Sequence, residues 1–474
     1  MAPTDNVLRI LFLLILSLVW CGRDWCFAAD AQMNPPDFEW VAQAGGKDHD
    51  KTRGLCLDAQ GNIFITGEFA GTAQFGDTTL TSAGLLNYFV AKLSPAGKFL
   101  WARSGGGSKI DRGYGVAADA AGNCYVTGHY QSSDATFDGH PLPPAVDYDI
   151  FIAKYDAGGK LLWIKTAGGA GYDYGHGIAV NAAGNVFVTG AVVGDCAFGD
   201  VKITNEKTSH LFCACYDAEG NLAWLKTAQG KASNAGNAIT VDGSGNAYIG
   251  GQSGGVGTLG NVALANPKGR DVLIVKFTPE GDVGWVHQGF GSPSALIHQI
   301  SAEKDGHVWA SGMFRQSLNL GGGKTVKSKG DSKGEKGDKS DNDILLTHLD
   351  PAGNRLWTIT GGSPKVDYGL GIAVDAQGNG ILTGEFSDTM ELLGATLTSR
   401  GVQDIFVAGI DRQGKLRWLT QAGGPLGDNA YTIAVDAQGA AFISGSFSAE
   451  AKFGPHTVKS AGRDDVYVAK IKAQ

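Results

Sequence analysis

Proline is scarce in this sequence, with 14 residues among 474. Even with 72 glycines the two together reach only about 18% of the chain, short of the roughly 25–30% at which a non-periodic chain reads as low-complexity. Disorder throughout is excluded. Charge is thin as well, at 18% of residues, and none of its excess is basic: 39 Lys and Arg against 47 Asp and Glu give a formal net charge of −8. A protein that tracks nucleic-acid phosphates carries a basic face, so no nucleic-acid partner is expected. Beyond residue 29 no apolar run approaches the about 20 residues needed to cross a bilayer. The cysteines show no C-x-x-C spacing, and neither a zinc site nor a disulfide framework is indicated. What the chain has in plenty is glycine, at about twice the average share of roughly 7%, with 43% hydrophobic residues. That combination describes a globular chain full of turns and leaves its substrate open.

The first 29 residues stand apart. Arg9 is followed by the apolar run Ile10 to Trp20, and Cys26-Phe27-Ala28 has the small-x-small form of a cleavage site. This predicts a signal peptide over residues 1–28 and an exported protein, periplasmic or extracellular, with residues 29–474 as a single domain and no membrane insertion after cleavage. The alternative is a lipoprotein anchored through Cys21, which the bulky Trp20 opposes. Of the five remaining cysteines, Cys56, Cys124, Cys213 and Cys215 fall in expected strands as small apolar residues. Cys196 falls in an expected loop, where the alternative is a pair with Cys213.

Repetition dominates the rest. GLCLDAQGNIFITG from Gly54, GVAADAAGNCYVTG from Gly115, GIAVNAAGNVFVTG from Gly177 and GIAVDAQGNGILTG from Gly371 are one sentence written four times, and weaker copies start at Ala238, Gln299 and Thr432. The aligned positions are Asp58, Asp119, Asn181, Asp242, Glu303, Asp375 and Asp436. Trp40, Trp101, Trp163, Trp224, Trp285, Trp357 and Trp418 repeat with the same spacings of 61, 62, 61, 61, 72 and 61. Each unit reads as four strands: the GIAVD run, the GNVFVTG run, an apolar run such as Asp149 to Lys154, and the segment carrying Trp. DAQGN and DAGGK are tight-turn strings, which make strands one and two, and strands three and four, antiparallel neighbours. Seven such units predict an all-β, seven-bladed β-propeller. The repeats begin with a lone Trp strand, residues 38 to 43, and end after a lone third strand, Val466 to Ile471, so the N-terminal strand is expected to complete the last blade and remove the open edge. Large residues at Ile178, Ile239, Ile300, Ile372 and Ile433 alternate with small ones at Ala117, Ala179, Ser301, Ala373 and Ala434, a pattern suited to wedge-shaped blades packed round an axis.

Function is expected on the face away from the tight turns, where the Gly-Gly links and the long loops between strands two and three lie. Eight residues before each aligned position come Asp50, Asp111, Asp173, Asn234, Ala295, Asp367 and Asp428. Five carboxylates near one rim favour a weak, salt-sensitive cation, with oxygen ligands suiting Ca²⁺; alternatively each Asp caps its own loop. Three residues further on come Arg53, Tyr114, His176, Asn237, His298, Leu370 and Tyr431, a polar and aromatic set suited to recognition. The candidate ligand-binding residues are therefore Asp50, Arg53, Asp111, Tyr114, Asp173, His176, Asp367, Asp428 and Tyr431, with no catalytic or metal residue assigned and no resident cofactor. Gly251-Gln252-Ser253-Gly254-Gly255 matches the hydrolase string G-x-S-x-G, but no helical period follows it, as a nucleophile elbow requires. The Lys-rich stretch Gly321 to Asp343 supplies the extra residues of unit five and is expected to be a disordered insertion at about 323–341.

The strings GIAVDAQGN, VTG, D-x-F-V-A-K and Trp followed by Gly-Gly resemble the bacterial SBBP repeat, found in exported seven-bladed β-propellers, over residues 38 to 474. That resemblance implies an interaction or surface module, with an unknown protein or glycan as partner. Ala153 to Trp163 is also similar to the tryptophan-docking motif of quinoprotein propellers, which implies a quinone-dependent enzyme. The enzyme alternative, whether quinone-dependent or a lactonase or lyase, would use the channel mouth. Against it stands the lack of any acid, base and nucleophile cluster that breaks the repeat.

Overall fold

The computed structural model describes residues 34–474 apart from 290, 291, 293, 321, 322 and 331–341. The signal peptide, its cleavage site and Cys21 fall outside the described residues. The described chain is all-β and propeller-like, with no α-helix.

Unit one shows how a repeat folds. Asp50–Leu57, Ile63–Phe69, Asn87–Leu93 and Phe99–Gly106 pair in that order, each antiparallel to the next. The first turn is built by Asp58. Its Oδ1 accepts from the backbone N–H of Gln60 at 2.9 Å and of Asn62 at 2.8 Å, and its Oδ2 accepts from Asn62 Nδ2 at 2.8 Å. Gly61 takes the left-handed conformation that closes the turn, at φ 76°. Asp119, Asn181, Asp242, Asp375 and Asp436 receive the same two backbone N–H groups in their own units. The turn between strands three and four repeats the device at Asp156, which accepts from Gly158 and Lys160.

That second turn is also where neighbouring units lock. Trp101, Trp163, Trp224, Trp285 and Trp357 each donate the indole Nε1–H to a carbonyl in the next unit's turn, those of Ala157, Ala218, Pro279, Pro351 and Arg412, at 3.0 to 3.2 Å. The ring lies flat on the turn glycine. A methyl on Gly281, which sits at φ 87°, would approach Trp224 to 2.7 Å.

The connections between strands two and three are ordered hairpins where loops were expected. Thr72–Phe75 with Thr78–Thr81, Cys196–Phe198 with Val201–Ile203, and Thr389–Leu392 with Ala395–Thr398 are three of them. Each hairpin pairs with the glycine-rich end of the preceding unit's Trp strand, as Gly45 and Gly46 do with Gln74 and Ala73. Cys196 therefore lies in a strand. It is free, as are Cys56, Cys124, Cys213 and Cys215, and it packs in a different layer from Cys213. Part of the unit-five insertion is ordered too: Thr325–Lys327 pairs with Ser317–Asn319, and Lys329 reaches Glu391 at 3.0 Å. The expectation of disorder from 323 is corrected there, because these residues form the same hairpin that other units carry; 331–341 fall outside the described residues. Ser253 lies inside the extended strand Ala247–Leu259, so the G-x-S-x-G string makes no elbow.

Hydrogen bonding sorts the strands into three six-stranded sheets and sheets of fourteen, four and two. The sheet of fourteen arises because Ala247–Leu259 pairs with its own unit through one half and with Leu222–Gly230 through the other, and because Arg270 bridges to Ser294. The first strand of each unit packs against the first strand of the next, and Asn429–Val435 packs against Asp50–Leu57. Phe38–Gly46 pairs antiparallel with the end of His456–Ile471, Phe38 opposite Ile471 and Ala44 opposite Val466. Seven apolar layers lie between adjacent units. Ala117 shares one with Ile178, Ala179 another with Ile239, and Ala373 another with Ile433, so large side chains of one unit fill the space left by small ones of its neighbour.

Candidate functional site

The five aspartates of the expected acidic rim are fully buried. Each spends its oxygens on its own loops. Asp173 accepts from the backbone N–H of Gly169 and Val193, both at 2.7 Å; Asp428 from Gly424 at 2.7 Å and Ser448 at 3.1 Å; Asp367 from Ser363 at 2.5 Å and Ser387 at 3.0 Å. Asp50 does the same for Gly46 and Ala70, and Asp111 for Gly107, Gln131 and Ser132. Burial pushes their carboxyls up, to about 7 in Asp50 and Asp428 and about 6 in Asp173 and Asp367, against the pull of those N–H groups. None of the five lines the cavity into which the residues three positions further on project. These bonds describe the alternative expectation, that each Asp caps its own loop: the carboxylates tie the loop before each first strand to the loop after each second strand. In unit four, where the position is Asn234, both side-chain amide atoms are buried without a hydrogen-bond partner.

The second set lies elsewhere. Every first strand carries a β-bulge, and the residue skipped by the pairing is Arg53, Tyr114, His176, Asn237, His298, Leu370 or Tyr431. A bulged residue is left out of the alternation of a strand and its side chain is re-aimed. All seven line a single cavity of about 400 Å³. Glycine follows four of them, and it lets the inner strands come close: a methyl on Gly54 would lie 2.5 Å from the Tyr114 carbonyl, and one on Gly115 would lie 2.8 Å from that of His176.

The cavity has an ordered electrostatic structure. Arg53 donates Nε–H and Nη2–H to both oxygens of Glu68, at 2.6 to 3.0 Å. Burial works against the guanidinium charge, but the Glu68 carboxylate outweighs it and holds Arg53 above its ordinary range. Its guanidinium lies 5.1 Å from the Tyr114 ring centre and 5.8 Å from that of Tyr431. His176 stacks between Tyr114 at 4.5 Å and Tyr174 at 4.7 Å. Burial pushes His176 and His298 down to about 4, so both are neutral at pH 7. Asn237 donates to the Ile297 carbonyl at 2.8 Å, while Gln252 Oε1 and His298 Nε2 have no hydrogen-bond partner. Such a lining presents aromatic faces and hydrogen-bonding groups, and among the described residues it sets no nucleophile beside a base.

Glu68, Gln252 and Tyr174 were not among the expected residues. Glu68 and Gln252 occupy one repeat position, the residue after the glycine of the VTG string, which also holds His129, Ala191, Met313, Glu385 and Ser446. Its variation within an otherwise constant string was the available signal. Glu385 is pushed up to about 7 by burial, with Asn429 and Gln403 as amide neighbours, and it does not line the cavity.

The chain matches no protein-family model. It is similar to an uncharacterized WD repeat-containing protein of Acanthamoeba polyphaga mimivirus, 22% identical over 431 residues, covering 74% of this chain and 30% of that protein. It is also similar to the regulatory protein FlaEY of Caulobacter vibrioides, 26% identical over 193 residues, covering 39% and 19%. The chain thus spans less than a third of either relative. Among solved structures, the RRP9 WD40 repeats align over 93% of this chain and 99% of that one, with a TM-score of 0.49 and 11% identity. The Neurospora crassa Pan2 WD40 domain aligns over 93% and 98%, with a TM-score of 0.44 and 10% identity. Likeness at that level carries no functional argument, and the propeller-like fold rests on the strand pairings above.

Proposed function

We propose that this protein is an exported binding module, a closed seven-bladed propeller of the SBBP type that takes a protein or glycan ligand in its central cavity. One observation carries the reading: seven bulged side chains, one from each repeat, line one cavity. Bulges cost ladder hydrogen bonds and recur where a strand must re-aim a side chain. A scaffold that only packed would have no use for five residue types, polar, aromatic and apolar, at seven copies of one repeated position. The seven-fold count is supported by the seven first strands that pack in succession, and closure by the pairing of Phe38–Gly46 with the last strand. Export rests on the Arg9 and Ile10 to Trp20 pattern with cleavage after Ala28. A protein partner is in keeping with the sequence likeness to a WD repeat-containing protein.

The test is a combined peptide and glycan array probed with the wild-type chain and with Tyr114→Ala and Tyr431→Ala variants of unchanged melting temperature. Ligands captured by the wild type are expected to be lost by the variants. If every captured ligand is retained, the cavity is not the binding site.

A further inference from the structure

The cavity's chemistry narrows the ligand. We infer, on the footing of the binding-module reading, that the group seated in it is an uncharged pyranose ring, free or at the end of a glycan. One side of the cavity is a continuous wall of π surfaces. Tyr431, Arg53, Tyr114, His176 and Tyr174 stack in that order across four repeats, with each neighbour 4.5 to 5.8 Å from the next. Repeats four and five add Asn237, Gln252, His298 and Gln299, and repeat six adds the apolar Leu370. The polar four are amides and an imidazole, groups that both donate and accept.

A pyranose matches both halves. Its C–H face lies on aromatic surface, and its hydroxyls both donate and accept, as the amides and the neutral imidazole require. An aliphatic or aromatic side chain would satisfy the π wall but offer no hydrogen bond to the amides and imidazole of repeats four and five, and covering those polar groups without a partner carries a desolvation penalty. Charge argues against ionic ligands. Arg53 is the one cationic side chain of the lining, and Glu68, which Arg112 also approaches at 3.7 Å from outside the lining, already answers it with two oxygens. A phosphate or carboxylate would have to compete with Glu68, and an ammonium would meet Arg53 with no carboxylate of the lining to receive it. Size agrees as well. About 400 Å³ lies at the low end of small-ligand pockets, which run from roughly 300 to 1,000 Å³, and holds one or two sugar rings.

Isothermal titration of the full chain tests this with the methyl glycosides of glucose, galactose, mannose and N-acetylglucosamine, with cellobiose and chitobiose, and with galacturonate and glucosamine as charged counterparts. At least one neutral sugar is expected to bind, at least tenfold more tightly than its charged counterpart. Tyr114→Ala and Gln252→Ala should each weaken that binding at least tenfold without changing the melting temperature. The saccharide inference is overturned if no neutral sugar binds at millimolar concentration, if a charged counterpart binds equally well, or if both folded variants bind like the wild type. It fails alone, with the cavity reading intact, if the array ligands lost in Tyr114→Ala are peptides and the sugars are silent. Both fail if the captured ligands do not depend on Tyr114 or Tyr431.

Discussion

Two residues three positions apart can have opposite fates, and Asp50 with Arg53 shows why. Both begin the same strand. Asp50 turns back to collect loop N–H groups, while the bulge sends Arg53 into the cavity. The recurrence of a carboxylate was legible in the sequence, and so was the variable set beside it, but the choice between ligand-binding and loop-capping depends on burial, which no spacing encodes. Replacing Asp173 with Ala orphans two backbone N–H groups while releasing one buried charge. The net effect expected is a loss of about 1–3 kcal/mol in urea unfolding at pH 6, with the calcium titration unchanged. A calcium response lost in Asp173→Ala would restore the acidic rim as a cation site.

The same carboxyls set a pH dependence whose sign is fixed. Asp50, Asp149, Glu385 and Asp428 are raised to about 7 by burial, and Asp173 and Asp367 to about 6, above unfolded values near 3.8 to 4.5. The folded state then binds protons more tightly than the unfolded state, so stability is fullest below the unfolded values and is lost as pH rises through 6 to 7. His176 and His298, lowered to about 4 from 6.5, act oppositely, with their contribution present above 6.5 and lost as pH falls towards 4. Between pH 8 and 6.5 the acids dominate, because the unfolded histidines, with values near 6.5, have only begun to take up protons there. Calorimetric melting temperature should therefore climb across that interval as pH falls; a flat or declining trend would mean the carboxyls stay ionised in the folded protein.

At the level of strands and turns, the sequence was most legible where the structure is most local. Asp58 to Asn62 carries its whole turn in five residues, and the Trp spacing marks the fourth strand. The hairpins between strands two and three were read as loops for a physical reason. Thr72–Phe75 is four residues long and half exposed, and its partner is Gly45 and Gly46, some 28 residues away in another unit. Unit five departs at Glu303 because one extra methylene carries the carboxylate past its own turn to Trp309, His348 and Arg412. The docking of Trp224 on Gly281 yields a prediction at this scale. Trp224→Phe removes one hydrogen bond, at a cost of about 1 kcal/mol, whereas Gly281→Ala meets both a positive φ and the ring face. The alanine variant should cost at least as much, about 1–3 kcal/mol, by chemical denaturation. A neutral Gly281→Ala would show that the tryptophan does not need that close approach.

At the scale of the whole molecule, the proposed closure of the propeller rests on Phe38–Gly46. That strand pairs on one side with Val466–Ile471 and on the other with Gln74 and Ala73, buries Phe38 and Ala44, and sets Trp40 against the turn at Gly97. In an open array, a terminal strand could be lost with little effect on distant repeats. In a closed ring its loss exposes two sheet edges and the layers on either side, so units far from residue 46 are loosened with it. Truncating Phe38 to Ala alone is expected to cost about 3–5 kcal/mol, and deleting 38–46 should lower the melting of the whole domain. Deletion by itself does not separate closure from simple loss of packing. Moving the strand does: residues 38–46 transplanted after Gln474 through a DAGGK-type turn should restore wild-type melting, because Phe38 already lies opposite Ile471 and every other unit joins these two strands by such a turn. A permuted chain that melts like the deletion, while keeping native strand content by circular dichroism, would show that the N-terminal strand acts through something other than closing the ring.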